Sequence, residues 1–421
     1  MVHSRLEGFY KKSLQERLQV VARQTGLSEE EEEVLLGKKN EDALKIADLM
    51  SENVIGLMQL PLSIATNFKV NGKEVLVPIA IEESSVVAAS SNAAKLCLPK
   101  GFTAKAGEQI MIGQIQVMNV KDVKEAFRNF NKQKENLMQK ATDTDQVLKN
   151  LGGGCKDIIE RVIYSKRGKM LVFHLLVDVK DAMGANAVNS MCETLKNDIE
   201  KITEGEVRLR IISNYALHRV VEAEAIWTKK ELGAKTIEGI LDAYHFAYSD
   251  KFRAVTHNKG IMNGIDSVVI ATGNDFRAVE AGAHSYAAIT GHYEPLTHYE
   301  KDKKGNLAGS IRLPLALGII GGATKVNPVS MIAVKIMGVK SAKNLSEIVA
   351  SVGLAQNFAA LNALATKGIQ EGHMKLHARN IAVQAGAKGW QAEEIARKMI
   401  KEKKISQARA EELLKKLKKK K

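Results

Sequence analysis

GQIQVMNV, at Gly113–Val120, is an apolar run with β-branched residues that predicts a strand. The residues after it predict, in order, a helix, two strands joined by a turn, a second helix and a last strand, at 121–151, 158–164, 170–179, 186–202 and 207–212. The order β-α-β-β-α-β is that of a ferredoxin-like unit, which ends near Asn214. No GxGxxG follows a strand and no GxxxxGK[ST] occurs, so a Rossmann nucleotide domain and a P-loop are disfavoured.

The chain on either side of this unit is less regular. Upstream, S-x-x-E sequences at Ser13 and Ser28 predict two capped helix starts, and Val75–Ile81 predicts a buried strand followed by a small-residue helix at 84–96. Downstream, the pattern predicts strands at 267–271 and 311–315 and helices at 276–288 and 345–365. The polar residues 256–264 are interpreted as a loop, and the chain beyond Gly372 as a polar helical appendage.

Composition places the chain among ordinary globular proteins. Of 421 residues, 45% are hydrophobic and 26% charged, which excludes a disordered chain or a disulfide scaffold. Three cysteines without a CxxC motif are typical of reduced cytosolic thiols. The N-terminus lacks the apolar core of a signal peptide and no run of about 18 apolar residues occurs, so we expect a cytoplasmic protein outside the membrane.

The positive charge is concentrated at the C-terminus. The formal net charge is +14. Residues 397–421 contain twelve Lys or Arg and three Glu, so this segment alone carries a net charge of +9. Such a tail could bind RNA, DNA or an anionic membrane. The last aromatic residue, Trp390, precedes the run, so base stacking is missing and nucleic acid is an unlikely partner.

Several polar residues are candidates for chemistry. Glu83 directly follows a predicted strand, and Lys259 is surrounded by His, Asn and Gly, a setting in which an ammonium can face a developing oxyanion. Asp275 is placed to cap a helix, and a capping residue can also act in a functional site. His373 and His377 have a spacing that can bind zinc, but Met follows the first His where a zincin has its Glu, so we predict no metal site.

Seven further motifs accompany the Glu82–Ser85 segment along the chain. They are ENVIG (52–56), DAMGAN (181–186), HNKGIMNGID (257–266), ATGND (271–275), GGATK (321–325), GLAQN (353–357) and GHMKLHARN (372–380). In this order they closely resemble the class II 3-hydroxy-3-methylglutaryl-coenzyme A (HMG-CoA) reductases. One departure is Ser84, where the family has proline after the glutamate.

The resemblance implies an α+β fold: a large mixed α/β substrate domain at 1–110 and 216–368, an inserted non-Rossmann dinucleotide-binding domain at 111–215 and a helical flap at 369–421. It implies reversible reduction of HMG-CoA to mevalonate and coenzyme A with two NADH or NADPH, through mevaldyl-CoA and the aldehyde mevaldehyde, without metal or flavin. It also implies a homodimer, or a higher assembly built of dimers, with the active site at the subunit interface. The enzyme would act in the mevalonate pathway of isoprenoid biosynthesis.

The resemblance also assigns residues. The catalytic set is Glu83, Lys259, Asp275 and His373; the substrate contacts are Ser85, Arg253, Asn263, Asn357 and His377; the cofactor contacts are Asp145, Asp181, Met183, Gly184, Asn186 and Asn214. Lys259 would hold the oxyanion, His373 would protonate the departing thiolate and Glu83 would donate a proton to the aldehyde. A carboxylate at Asp145 favours NADH, since it would accept from the ribose hydroxyl and repel the phosphate of NADPH. Against this, Lys149 and other nearby lysines could accommodate that phosphate.

Three alternatives stay open at this point. The same enzyme can run oxidatively in mevalonate breakdown, because the direction depends on metabolite levels. Another coenzyme A enzyme, such as an acyltransferase, would need an activated Cys or Ser, and no cysteine lies in the motifs. A nucleic-acid-binding module would depend on the terminal lysines alone.

Overall fold

Two β-sheets, each covered by helices, organise the protein. The structure, a computed structural model, describes residues 2–366, 368 and 378–418. The predictions made for His373 and His377 therefore lie outside the described residues.

The N-terminal part supplies half of the larger sheet. Its elements are α1 (Leu14–Thr25), α2 (Glu29–Leu35), α3 (Asn40–Met50), β1 (Leu62–Val70), β2 (Lys73–Ala80), α4 (Val86–Leu96) and β3 (Phe102–Ala106). Both predicted capping boxes are formed, because Ser13 and Ser28 each exchange hydrogen bonds with the glutamate three residues on. The predicted strand at 75–81 is confirmed as β2, whereas the sequence pattern does not predict β1 and β3.

The predicted ferredoxin-like unit is confirmed. It contains β4 (Ile110–Met118), α5 (Val123–Asp143), α6 (Gln146–Asn150), β5 (Gly154–Ser165), β6 (Gly168–Asp178), α7 (Ala185–Thr194), α8 (Lys196–Thr203) and β7 (Glu206–Ser213). The strands form an antiparallel sheet in the order β5-β6-β4-β7. Its core is separate from that of the large sheet and includes the contacting rings of Phe130 and Phe173. The exact domain boundaries stay predictions.

The chain then completes the large sheet. The next elements are β8 (Val220–Trp227), α9 (Lys229–Leu232), α10 (Ala234–Ser249), α11 (Lys251–Ala271), α12 (Phe276–Ala287), β9 (Thr297–Lys301) and β10 (Leu307–Pro314). The strand order is β2-β1-β3-β8-β10-β9. Because β3 pairs directly with β8, the four-stranded unit is an insertion between two neighbouring strands of this sheet.

The predictions for the polar motif region are wrong. Residues 256–264 are not a loop and 267–271 are not a strand; both belong to α11. Eleven residues of α11 are buried. A helix buried on most sides loses the polar face that marks an amphipathic helix, so its apolar end looks like a strand in the sequence.

The last described elements are helical: α13 (Gly322–Val326), α14 (Pro328–Met337), α15 (Ala342–Ala365), α16 (Trp390–Glu402) and α17 (Gln407–Lys418). By length and composition α15 could cross a membrane, but 67% of its most apolar window is buried inside the protein, as in a core helix. Residues 378–384 are also helical and, with α16 and α17, form a small separate core.

Candidate active site

The turn between β2 and α4 holds Glu83 in a strained segment. Ser85, at the N-terminus of α4, has φ +85°, in the left-handed region that residues other than glycine rarely adopt. Strain of this kind persists where the surrounding structure enforces it, often at functional sites. The turn therefore presents Glu83 in a fixed place at the end of the sheet.

Lys259 lies next to this turn. Its Nζ is 3.8 Å from Oε2 of Glu83, and the two side chains are 65% and 33% exposed. An ion pair this open to water contributes little to the stability of the fold. A cation and a carboxyl group therefore meet at the surface, within reach of a bound molecule.

The buried face of α11 holds Lys259 in place. One residue before it, Asn258 binds the segment ahead of β9, accepting from the backbone N–H of Leu296 and donating to the carbonyl of Glu294, both at 2.9 Å. His257 Nε2 lies 2.6 Å from the hydroxyl of Thr297. Burial, with a smaller effect of the Arg253 charge, lowers the pKa of His257 to about 3, so its ring is neutral.

Two motif glycines let α11 approach α15 closely. A Cβ at Gly264 would lie 2.9 Å from the Cβ of Gln356, and one at Gly353 would lie 2.8 Å from Ile265 Cδ1. Only glycine avoids these clashes. The glycines of HNKGIMNGID and GLAQN thus serve helix packing, which sets the position of Lys259.

Asp275 is the N-cap of α12. Its Oδ1 accepts the backbone N–H groups of Arg277 and Ala278 at 3.0 and 3.2 Å and lies 3.4 Å from Arg277 Nε. In the described part of the chain no ion pair within 4.0 Å joins it to Lys259. The predicted capping role is confirmed, and a catalytic role for Asp275 stays a prediction.

Three predicted substrate contacts belong to the same two helices. Arg253 and Asn263 are half-buried on α11, and burial lowers the pKa of Arg253. Asn357, on α15, is 1% exposed, and its Oδ1 accepts from the hydroxyls of Thr297 and Tyr299. This geometry gives Asn357 a structural task beneath α11; its substrate role stays a prediction.

The segment Asp181–Gly184, here called the cofactor loop, leads into α7. Gly184 has φ +95° at the N-terminus of that helix, with no side-chain cap on the first amides. Asp181 Oδ1 accepts the backbone N–H of Ala342, 2.8 Å away at the start of α15. Met183 is half-buried, whereas Asn186 and Asn214 are exposed. The loop presents uncapped amides, while its carboxylate is engaged with the large sheet's helices.

Asp145 begins α6 and accepts the backbone N–H of Leu148 at 2.9 Å. Lys149, a candidate for holding an extra phosphate, is paired with Asp143. The contact of Asp145 with a cofactor and the cofactor preference stay predictions.

An open groove of about 2700 Å³ reaches the Glu83 turn through Ser84 and Ser85. Its walls come from the N-terminal helices, β1, α4 and α14, with Arg5, Arg17 and Lys95 among the lining side chains. Across residues 2–366, 368 and 378–418, no cluster of three His, Cys, Asp or Glu could hold a metal ion.

The family model for hydroxymethylglutaryl-coenzyme A reductase matches residues 13–378. The chain belongs to this family. A 3-hydroxy-3-methylglutaryl-coenzyme A reductase from Archaeoglobus fulgidus is 55% identical, over 98% of this chain and 95% of its own. A solved structure of the Streptococcus pneumoniae reductase has a TM-score of 0.83 and 38% identity, covering 98% of this chain and 99% of that one. Another, of the class II enzyme bound to NADPH in open conformations, has a TM-score of 0.82 and 39% identity and covers 86% and 99%.

Membership of the family confirms the recognised resemblance and the reductase function. The motifs are visible in the sequence, but the residues that anchor them are not. Thr297, Tyr299 and Arg219 lie outside every motif, and only the buried polar contacts of the folded chain single them out. A lone Thr or Tyr in a strand carries no sequence signal for this role.

Proposed function

We propose that this chain catalyses the reduction of HMG-CoA to mevalonate and coenzyme A with two reduced nicotinamides. The contact between Lys259 Nζ and Glu83 Oε2 carries the proposal, because it brings together two of the four family residues from segments 176 positions apart. The reaction needs a cation for the thioester oxygen and a proton donor for the alcohol, and this pair supplies both types of group.

Lys259 acts first. The thioester oxygen becomes negative as reduction begins, and the ammonium stabilises that charge in the transition state more than in the ground state. His257, on the buried side of α11, is neutral and adds no competing charge.

Glu83 and Asp275 act on protons. Glu83 donates to the aldehyde oxygen in the second reduction, and Asp275 supports the two groups through the turn before α12. His373, outside the described residues, would protonate the thiolate of coenzyme A, since a thiol leaves more readily than a thiolate.

The cofactor loop fits a dinucleotide. When bound, the reduced nicotinamide supplies the hydride. The uncapped amides at the start of α7 can donate to the pyrophosphate, since helix N-termini attract anions. A Cβ at Gly184 would lie 2.4 Å from Val179, so glycine keeps the loop close to the strand end. Asp145 favours NADH, and the NADPH-bound pneumococcal relative supports testing both cofactors.

The groove beside Ser85 suits the coenzyme A arm. Arg5, Arg17 and Lys95 are among its lining side chains and offer partners for phosphate. The acyltransferase alternative loses support, because burial raises the pKa of Cys97, Cys155 and Cys192 to about 12 and leaves no thiolate nucleophile.

We also propose a cytoplasmic homodimer with the site at the interface. Large apolar side chains are exposed on α10 and on α11, the helix that carries Lys259: Phe252 is 88%, Phe246 58% and Val255 53% exposed. Apolar patches of this kind mark protein contacts, and a second copy would cover them.

The test of the function is stoichiometric. Purified protein is mixed with limiting HMG-CoA and an excess of NADH or NADPH, and the oxidised nicotinamide and mevalonate are both measured. We expect two nicotinamides oxidised for each mevalonate and each free thiol formed. Thiol release without nicotinamide oxidation would instead indicate an acyl-transfer or hydrolytic enzyme.

The dimer is tested by sedimentation velocity at micromolar concentration. We expect the wild type to sediment as a dimer or a multiple of it, and Phe252→Asp to shift toward monomer. Tyr164→Asp, on a side chain 80% exposed at the end of β5, is the matched control and should leave the association unchanged. A monomeric wild type would contradict the interface proposal.

A further inference from the structure

A buried arginine lies where the chain returns from the inserted unit to the large sheet. Arg219 is 1% exposed and ends the 3-10 turn Leu217–Arg219, directly before β8. Arginine is almost never fully buried unless its charge is compensated, because desolvation of the guanidinium is costly. Its position therefore requires a specific set of partners.

The guanidinium donates to oxygens from three separate segments. Nη1 donates to the backbone carbonyls of Ala182 and Met183 at 3.2 and 3.3 Å. Nη2 donates to the side-chain oxygen of Gln109 and to the carbonyl of Leu317. One side chain thus joins the cofactor loop, the crossing segment before β4 and the segment after β10.

The cofactor loop lies directly on this last segment. The backbone N–H of Ile319 donates to the carbonyl of Asp181 at 2.9 Å, and Ala182 forms a parallel bridge with Ile320. A Cβ at Gly318 would lie 2.5 Å from the backbone nitrogen of Met183, so glycine is needed for this close approach.

The same segment continues to the catalytic turn. The backbone N–H of Gly318 donates to the side-chain oxygen of Asn274 at 2.8 Å, and Asn274 precedes Asp275. An unbroken series of contacts therefore runs from the cofactor loop through Arg219, Leu317 and Gly318 to the turn that holds Asp275.

We propose that Arg219 is a positioning residue that fixes the cofactor loop relative to the Asp275 turn, and so sets where the reduced nicotinamide meets the substrate. The proposal rests on the proposed function, and Arg219 itself touches neither reactant. Burial lowers the pKa of Arg219 to about 10, against the opposing effect of the Asp181 and Asp178 charges, so the group stays cationic at neutral pH. A planar guanidinium can hold all four acceptors at once, which a lysine ammonium cannot.

The test compares Arg219→Met, Arg219→Lys and the milder Gln109→Ala, which removes one acceptor. Dinucleotide affinity is measured by calorimetry, using NADH or NADPH, whichever wild type binds more tightly, and kinetics are measured with HMG-CoA. For Arg219→Met we expect the Kd of the dinucleotide to rise about tenfold and kcat to fall up to about a hundredfold, while KM for HMG-CoA stays within about twofold. For Arg219→Lys, the dinucleotide Kd and kcat should lie between the values of wild type and of Arg219→Met. Gln109→Ala should change both values in the same direction, but less.

Trp227→Phe is the structural control. Trp227 is buried in the large sheet's core, where its Nε1 donates to the carbonyl of Ala93, so we expect lower thermal stability with an unchanged dinucleotide Kd. The proposal is overturned if folded Arg219 and Gln109 variants bind the dinucleotide like wild type, or lose affinity for both reactants equally. A wild type that binds the dinucleotide but does not reduce HMG-CoA would refute the proposed function, whereas the calorimetric comparison would still test Arg219.

Discussion

The Lys259–Glu83 pair and the cofactor loop represent two different ways of building a site. In the pair, two side chains reach the surface from a helix and a strained turn, 3.8 Å apart. In the cofactor loop, the groups without a side-chain partner at the start of α7 are backbone amides, and the one carboxylate accepts the N–H of Ala342. The proposed function of the Lys259–Glu83 pair depends on which side chains are present. That of the cofactor loop depends on how closely its backbone can approach a ligand.

This difference predicts how each region responds to substitution. Removal of a functional group from the pair should abolish chemistry without affecting cofactor binding. In the loop, a change of backbone freedom should weaken binding while the catalytic groups stay intact. The experiments below separate the two behaviours.

The largest effect is expected for Lys259→Ala. Loss of the oxyanion partner should lower kcat/KM about 100- to 1000-fold, while the dinucleotide Kd changes less than about twofold. Lys251→Ala, on an exposed lysine at the start of the same helix, is the matched control and should keep wild-type activity. Robust turnover without Lys259 would show that the oxyanion is held elsewhere.

Gly184→Ala tests the loop. The added Cβ would meet Val179 at 2.4 Å in a backbone with φ +95°, so we expect the dinucleotide Kd to rise about tenfold. Gly168→Ala has the same type of strain, φ +98°, but no atom within 4 Å, and should lose only about 1 kcal/mol of stability. Equal dinucleotide affinity in the two variants would contradict a binding role for the loop backbone.

Asp145→Asn sharpens the cofactor assignment. Asparagine caps a helix as well as aspartate does, so the fold is kept while the charge is removed. The ratio of kcat/KM for NADPH to that for NADH should rise several-fold. Asp122→Asn, which changes the equivalent cap of α5, should leave the ratio unchanged; an unchanged ratio in both variants would refute the role of Asp145.

The smallest effect is expected on stability, from the carboxyl group of Asp266 in α11. Burial and a hydrogen bond with Glu280 raise the pKa of Asp266 to about 8, while His284 lowers the pKa of Glu280. The native state then holds a proton that the unfolded chain releases near pH 4. The stability of the folded state therefore falls as the pH rises from about 4 toward 8.

Asp266→Asn removes that titration and keeps a donor for Glu280. Chemical unfolding between pH 6 and 8 should show a shallower loss of stability in the variant than in wild type. Identical slopes would show that Asp266 is ionised in the native protein.

The ferredoxin-like unit and the large sheet differ in how well the sequence predicts them. The ferredoxin-like unit is continuous in the chain and its strands alternate clearly, so the apolar pattern alone predicts the order of its elements. The large sheet is assembled from segments on both sides of it, and β1, β3, β8 and β9 carry no signal strong enough to be assigned.

For the site, the motifs predict the reacting residues, but the sequence pattern predicts the wrong structure for α11. The pattern suggests loop donors at His257 and Asn258, yet both are buried anchors whose partners lie about 40 residues away. Arg219 escapes prediction because a single arginine between strands looks like any exposed one. Long-range polar contacts of this kind appear only when the chain is folded.

The most direct test of the central claim is a double-mutant cycle on Lys259 and Glu83. The kcat/KM of Lys259→Ala, Glu83→Gln and the double variant is measured with HMG-CoA, with Glu82→Gln as the neighbouring control. If the two side chains act as one unit, the double variant should be no more than about tenfold slower than the worse single variant. If the two losses multiply, Lys259 and Glu83 act independently, and the account given for their contact is contradicted.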